Sequence, residues 1–307
     1  MIIIKHLIST ILLFSVCVQI SVAAGLATRL GELKIENVRY GQAFSMRESL
    51  NLPLRVTNRS ATPVSLKMEI VINKPGDSDL LPGYEPLPDP SWIRLENEDF
   101  MRVEPNMDAE TDIVIDIPKN DKYLGKQYQF YVWTRTVGGL TNVNLGVKSR
   151  FLITIISADN LAILEGRKEA PVIKSNLDFN FMPYESYMKQ VATGTTYDVE
   201  TAAGSAIKVI NPNAEKMQFK VYPLTSKDAK VSLKSGYEDI PSADWITFKE
   251  MHVSVPPESI KRLKTFVKIP KNEEFKGKKY QAVLVLEGVG QNVNAKLYVR
   301  LFITTAE

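Results

Sequence analysis

Cysteine is almost missing from this chain. Cys17 is the only one in 307 residues, and it lies in the apolar stretch at the N-terminus. One cysteine excludes a disulfide framework and a thiolate metal site. Once that stretch is removed, no cysteine nucleophile remains. Histidine is nearly as scarce, with His6 and His252 alone. A single histidine in the body of the chain excludes the usual zinc sets. It also leaves a Ser-His-Asp relay one position, and no G-x-S-x-G elbow accompanies it. His252 sits in the alternating run Met251-His252-Val253-Ser254-Val255, where a histidine serves packing or surface. Phosphate-cradling patterns of the G-x-x-x-x-G-K-[ST] or G-x-G-x-x-G kind do not occur. Charge of one sign is lacking too. The 38 Lys+Arg against 35 Asp+Glu leave +3, without a basic run. That balance argues against nucleic acid as a partner and against a polybasic membrane patch. No cofactor is expected, and no enzymatic activity.

What is present starts at the N-terminus. Lys5 precedes an apolar core from Leu7 to Ile20, and Ser21-Val22-Ala23-Ala24 supplies small residues. This layout predicts a cleaved signal peptide over residues 1–24 and an exported chain, periplasmic or at the cell surface. Past it, no apolar run reaches the length of a membrane span, so the mature chain is expected to have no transmembrane segment. Export without disulfides points to a bacterial protein whose cores are stable unaided.

Short alternating runs dominate the rest. Leu50, Leu52, Leu54 and Val56 alternate with polar or turn residues, as do Val64, Leu66, Met68, Ile70 and Ile72. Period two with β-branched enrichment predicts half-buried strands. Ile113, Ile115 and Ile117 form another and end at Pro118. A long strand follows from Tyr128 to Thr134, turned by Gly138-Gly139, and returns from Val147 to Ile156. The proline-rich stretch from Lys74 to Pro90 has too few backbone donors for a central strand and reads as a loop. About eight strands in ~125 residues fit an immunoglobulin-like sandwich. Residues 157–175 read as a linker with one helical turn.

The plan then recurs. Trp92-Ile93, Ile117-Pro118-Lys119 and Gly125-Lys126-Gln127-Tyr128 reappear as Trp245-Ile246, Ile269-Pro270-Lys271 and Gly277-Lys278-Lys279-Tyr280. Asn58 precedes Trp92 by 34 residues, and Asn211 precedes Trp245 by 34. Asn142-Val143-Asn144 recurs as Asn292-Val293-Asn294, and Phe151-Leu152-Ile153 as Leu301-Phe302-Ile303. A repeat this long is a whole domain rather than a solenoid unit. The expected architecture is all-β, two tandem immunoglobulin-like β-sandwich domains, over residues 25–156 and 176–307. In that plan Trp92 and Trp245 fill the cores, and Asn58 and Asn211 hold Asx-type turns. Gly125 and Gly277 permit tight turns. Tyr128 and Tyr280 stand where a sandwich places a corner tyrosine that bonds back to the loop.

The order of turn, W-I, I-P and G-K-x-Y resembles bacterial secreted immunoglobulin-like modules. NEW3-type domains of secreted glycosidases are similar, as is the immunoglobulin-like region of proteins that interact with WxL proteins. The P-G turn of those modules is replaced here by Pro105-Asn106 and Pro256-Pro257. The resemblance implies a non-catalytic binding or scaffold role and transfers no site residues.

Loops on a rigid sandwich commonly carry binding. Tyr84, Leu81 and Leu87 give the loop from Lys74 to Pro90 apolar content, and Tyr237 marks the matching loop of the second half. These four are the expected binding residues. The partner they imply is a cell-envelope or surface protein, or a polysaccharide. Asp77, Asp79, Glu85 and Asp89 place carboxylates in the same loop, a composition compatible with calcium but more simply solvated. Two other functions remain open. One is a periplasmic chaperone for surface-fibre subunits, which a basic cleft between the domains and an exposed strand such as Val147 to Ile155 would mark. The other is an accessory module of a secreted enzyme system.

Overall fold

The computed structural model of the protein describes residues 25–138, 146–165, 176–290 and 293–307. The expected signal peptide, Cys17, Gly139, Asn142 to Asn144, Asn292 and the linker from residue 166 onward lie outside the described residues. The first half carries β1 (Leu26–Thr28), β2 (Leu30–Val38), β3 (Phe44–Ser45), α1 (Met46–Leu50), β4 (Leu54–Asn58) and β5 (Val64–Ile72). There follow β6 (Glu85–Pro86), β7 (Ile93–Leu95), β8 (Asp99–Val103), β9 (Asp108–Thr111), β10 (Ile113–Ile115), β11 (Gln127–Val137) and β12 (Gly146–Ile155). Helix α2 (Ala158–Glu165) follows β12 and is two turns long rather than the one the sequence suggested.

The second half runs through β13 (Asn180–Met182), β14 (Glu185–Val191), β15 (Thr196–Asp198), α3 (Val199–Ala203), β16 (Ile207–Asn211), β17 (Met217–Thr225) and α4 (Ser226–Ala229). It ends with β18 (Glu238–Asp239), β19 (Ile246–Phe248), β20 (His252–Val255), β21 (Ser259–Leu263), β22 (Thr265–Lys268), β23 (Lys279–Gly290) and β24 (Val293–Thr305). Apart from α4, this is the order of the first half. Each half is a sandwich. One layer is β1-β4-β9 or β13-β16-β21, and the opposite layer is built around β5-β11-β12 or β17-β23-β24. Apolar side chains from both layers meet between them, including Phe130, Phe151, Phe181 and Leu301.

The alternating run from Leu50 is a strand only in its second half. Ser45 accepts a hydrogen bond from the Glu48 N–H as an N-cap, and Asn51 ends α1 in the left-handed region at φ 52°. A capped turn thus absorbs Leu50, which still points into the core. Cap chemistry outweighed the period-two pattern here, because Ser and Asn offer the backbone its end partners directly.

Asn58 and Asn211 are buried hubs. The Asn58 Nδ2 donates to the carbonyls of Thr62 and Val103, both at 2.9 Å, while its Oδ1 accepts from the Ser60 N–H at 2.9 Å. Asn211 donates to the Glu215 and Val255 carbonyls at 2.8 and 3.2 Å and accepts from the Asn213 N–H at 3.0 Å. A buried amide satisfied on both ends ties three chain segments together. Trp92 lies edge-on to Tyr128 at 5.9 Å, and Trp245 to Tyr280 at 5.6 Å. Ring packing is the contact that holds these tyrosines, and burial pushes the Tyr128 hydroxyl up to about 12.

One residue past each of these tyrosines stands a glutamine that the motif reading left out. Gln129 and Gln281 are fully buried. Gln129 Nε2 donates to the Asn73 Oδ1 at 3.1 Å and the Asp79 carbonyl at 2.8 Å, and its Oε1 accepts from the Leu81 N–H at 3.0 Å. Gln281 does the same for the Ser232 carbonyl and the Lys234 N–H. These side chains pin the two long loops to the sheet. Gln129→Leu is expected to cost about 2–3 kcal/mol, because it strands buried partners. Urea unfolding and amide exchange of residues 79–81 check it: an unchanged midpoint and unchanged protection would show that the loop does not hang on Gln129.

The two sandwiches share one sheet. Its order is β20-β17-β23-β24-β2-β12-β11-β5-β8. The joint is β2, which pairs in parallel with β12 of its own sandwich and antiparallel with β24 of the other.

Candidate functional site

The site lies where β2 gives out. Going back from Leu30, the chain turns away into β1, which pairs with β4 in the other layer. The partner strand continues past that point. Among the described residues, Gly146 to Ser149 of β12 pair with β11 alone. Ser149 is tied to the Leu30 carbonyl through its hydroxyl at 2.6 Å. The edge from Gly146 to Lys148 faces a cleft instead. A cavity of about 310 Å³ opens there, between the β12 edge, Tyr184 and the β24 residues Tyr298 and Arg300.

Glycines set its aromatic walls. A Cβ on Gly31 would sit 2.1 Å from the Tyr298 ring, and one on Gly146 would sit 2.5 Å from the Trp133 Nε1. Each ring thus occupies space that a Cβ at the glycine would need, so a larger residue there would displace it. Tyr131, beside Trp133 on β11, adds a third ring; burial raises its hydroxyl pKa, against the pull of Arg150. Burial likewise raises that of Tyr298, with Glu32 as the next cause.

Charge at the floor is ordered by register. Arg150 faces Glu32, Glu32 faces Lys296, Lys296 faces Glu287, Glu287 faces Lys220, and Lys220 faces His252. Signs alternate across the five strands from β12 to β17, and so across the joint between the sandwiches; His252 ends the row without a negative charge. Opposite charges directly across strands favour this register over a slipped one. Glu32 is buried and accepts from Arg150 Nη1 at 2.7 Å and from Lys296 Nζ at 2.5 Å. Burial pulls the Arg150 pKa down, but the Glu32 charge and Tyr131 outweigh it, so the net direction is up. The same pair recurs in the second half as Arg300 with Glu185, more exposed. A second bridge is Arg29, whose guanidinium reaches Asn180 and lies 4.0 Å from Asp178. Burial, then the Arg55 charge, lower its pKa.

Cations dominate the mouth. Lys148 is exposed and lies 5.7 Å above the Tyr131 ring, and Lys230 is exposed on the loop after α4. Asp79 is the one carboxylate among the described lining residues.

The four expected binding residues lie elsewhere. Leu87 is 2% exposed and belongs to the core, so it has no surface to offer a partner. Its place in the proline-rich loop hid this, because only the two-residue pairing of β6 with β11 carries the loop back over the sandwich. Leu81 is half-buried and held by Gln129. Tyr84 is half-buried, its hydroxyl pKa raised by burial. Tyr237 packs on Phe302 at 4.9 Å. Each sits over its own sandwich, and the loop enters the cleft only through Asp79. Asp77 and Asp89 turn back on their own loop, accepting from the Lys74 and Ser91 N–H groups. Among the described residues no three carboxylate or histidine side chains gather at metal-ligand spacing. His252 is exposed on β20, away from the cleft. The strand expected from Val147 to Ile155 is exposed only at its start, since β2 covers Arg150 to Ile155.

The sequence reading missed Arg150, Glu32, Lys148 and Tyr298. One signal was available: Arg150 and Arg300 each stand just before the repeated Phe151-Leu152-Ile153 and Leu301-Phe302-Ile303. No local feature marks Glu32 as their partner.

An all-β chain of two immunoglobulin-like sandwiches, with a cleft at their joint, defines the class. Within it, no family model matches the chain and no curated protein matches it. Similar solved structures include the CupB2 chaperone of Pseudomonas aeruginosa, with 14% identity over 88% of this chain and 97% of that one, at a TM-score of 0.26. The E. coli chaperone DraB has 10% identity over 90% of this chain and 97% of that one, at 0.29. A protein of unknown function from Porphyromonas gingivalis has 10% identity over 91% of this chain and 99% of that one, also at 0.29. At these TM-scores the functional reading stands on the cleft alone. No helix among the described residues is long and apolar enough to cross a membrane.

Proposed function

We propose that this chain is an exported, non-enzymatic binding protein that works as a chaperone does. It holds an extended segment of a partner protein in the cleft, as a strand added to the bare edge from Gly146 to Lys148. The observation that carries this is the vacated row in the continuous sheet. Unpaired backbone groups on a strand edge recruit another strand, and here the edge is sheltered in a cleft rather than open at the rim. The molecule shows the same completion on its second sandwich, where β2 is laid along the start of β24. The partner is then a protein of the cell envelope or surface, met in the periplasm.

A photocrosslinking residue at position 147, in the full chain expressed in its own exporting cells, tests the reading. Arg94, exposed on β7 away from the joint, is the control position. Adducts to one exported protein are expected at 147 only. In the purified pair, amide exchange of residues 146–148 should slow against the free chain. Equal adducts at both positions, or protection elsewhere, would sink the proposal.

A further inference from the structure

Strand addition fixes which side chains of the guest face which wall. Successive residues of a strand point to opposite faces. On β12, Val147 packs against the core, while Lys148 and Arg150 point to the outer face, beside Tyr131. A guest strand beside them presents every second side chain to Val147 and Leu26, which is apolar, and the alternate ones to the outer face. That outer face is cationic. Lys148 and Lys230 make no ion pair among the described residues, and Lys148 is exposed. Arg150 is 7% exposed and lines the cavity, and its Nε has no hydrogen-bond partner among the described residues.

From this, and resting on the strand-capture reading, we infer the chemistry of the guest. It is a segment that alternates apolar residues with acidic ones, the acids facing Lys148, Arg150 and Lys230. Complementary charge speeds encounter and fixes register. A one-residue slip would turn the acids towards Val147 and bury them unpaired, so the pattern also selects the register.

The test uses the full mature chain and nine-residue peptides with both ends blocked, so that no terminal carboxylate takes part. One peptide alternates Val with Glu, one Val with Gln and one Val with Lys. Binding is read from Trp133 fluorescence and from amide exchange of residues 146–148. The Val/Glu peptide is expected to bind at least tenfold more tightly than Val/Lys at low salt, with the margin shrinking as salt rises. Lys148→Glu with Lys230→Glu should remove that margin and favour Val/Lys instead. Both lysines are exposed, so folding should hold, and an unchanged far-ultraviolet spectrum checks this. Equal binding of the three peptides, with slowed exchange at 146–148, would overturn the acidic preference while leaving strand capture standing. Slowed exchange with none of them would overturn both. A fourth peptide, Val/Gln with its C-terminus left free, is the control: binding by it alone would overturn the acidic side-chain preference in favour of a terminal carboxylate.

Discussion

Glu32→Ala is expected to destabilise the protein by about 3–5 kcal/mol, the range found when one partner of a buried ion pair is removed. Glu32 is 5% exposed and answers two cations at once, Arg150 and Lys296. Without it, the buried Arg150 loses its counter-charge and faces a partly exposed Lys296 across the joint between the sandwiches. The matching change in the second half gives the control. Glu185→Ala breaks the Arg300 pair, where both side chains are about a quarter exposed. Solvent screens that pair, so its loss should cost about 1 kcal/mol or less. A compensated variant, Glu32→Leu with Arg150→Met and Lys296→Met, should regain most of the loss, because an apolar set of similar volume removes the desolvation cost. Urea midpoints of the three variants decide the matter. Equal effects of Glu32→Ala and Glu185→Ala would show that the joint is not held by this charge row.

Gly31→Val is the second large effect. A Cβ at position 31 would meet three atoms of the Tyr298 ring at 2.1 to 2.6 Å. Overlap of that size forces the ring off the strand. Overpacking alone costs about 1–3 kcal/mol, and here the displaced ring belongs to β24, next to its pairing with β2. The expected result is a looser joint: faster proteolysis between the sandwiches and loss of exchange protection along Leu30 to Ile35, with both cores retained. Gly31→Ala should give a smaller effect in the same direction. Tyr298→Ala combined with Gly31→Val should be milder than Gly31→Val alone, since the clash partner is gone. If the double variant is as damaged as the single, the ring contact is not the cause.

Particular residues show how far the sequence could be read. Trp92 and Trp245 were legible as core residues because each opens a short strand after a polar loop. Asn58 and Asn211 were legible as turn holders, since an asparagine amide can serve both a donor and an acceptor within a few residues. Gly125 and Gly277 take φ of 70° and 63°, the left-handed turn their motif implied. Leu50 misled, because a capped helical turn and a strand start share the same apolar spacing over four residues. Leu87 misled for a different reason: proline content speaks to backbone donors and not to burial, and a two-residue pairing is too short to leave a periodic trace.

The sequence by itself determined the local matter: all-β character, the matched motifs of the two halves, and the turn and core residues within each. Those follow from period, cap and turn chemistry, which act over a few residues. Only the tertiary structure decided the joint and its cleft. Glu32 and Lys296 stand 264 positions apart, and the pairing of β2 with β24 leaves no mark in either strand alone. A strand's sequence encodes which face is buried, but not which distant edge it will complete, because backbone hydrogen bonds are the same for every partner.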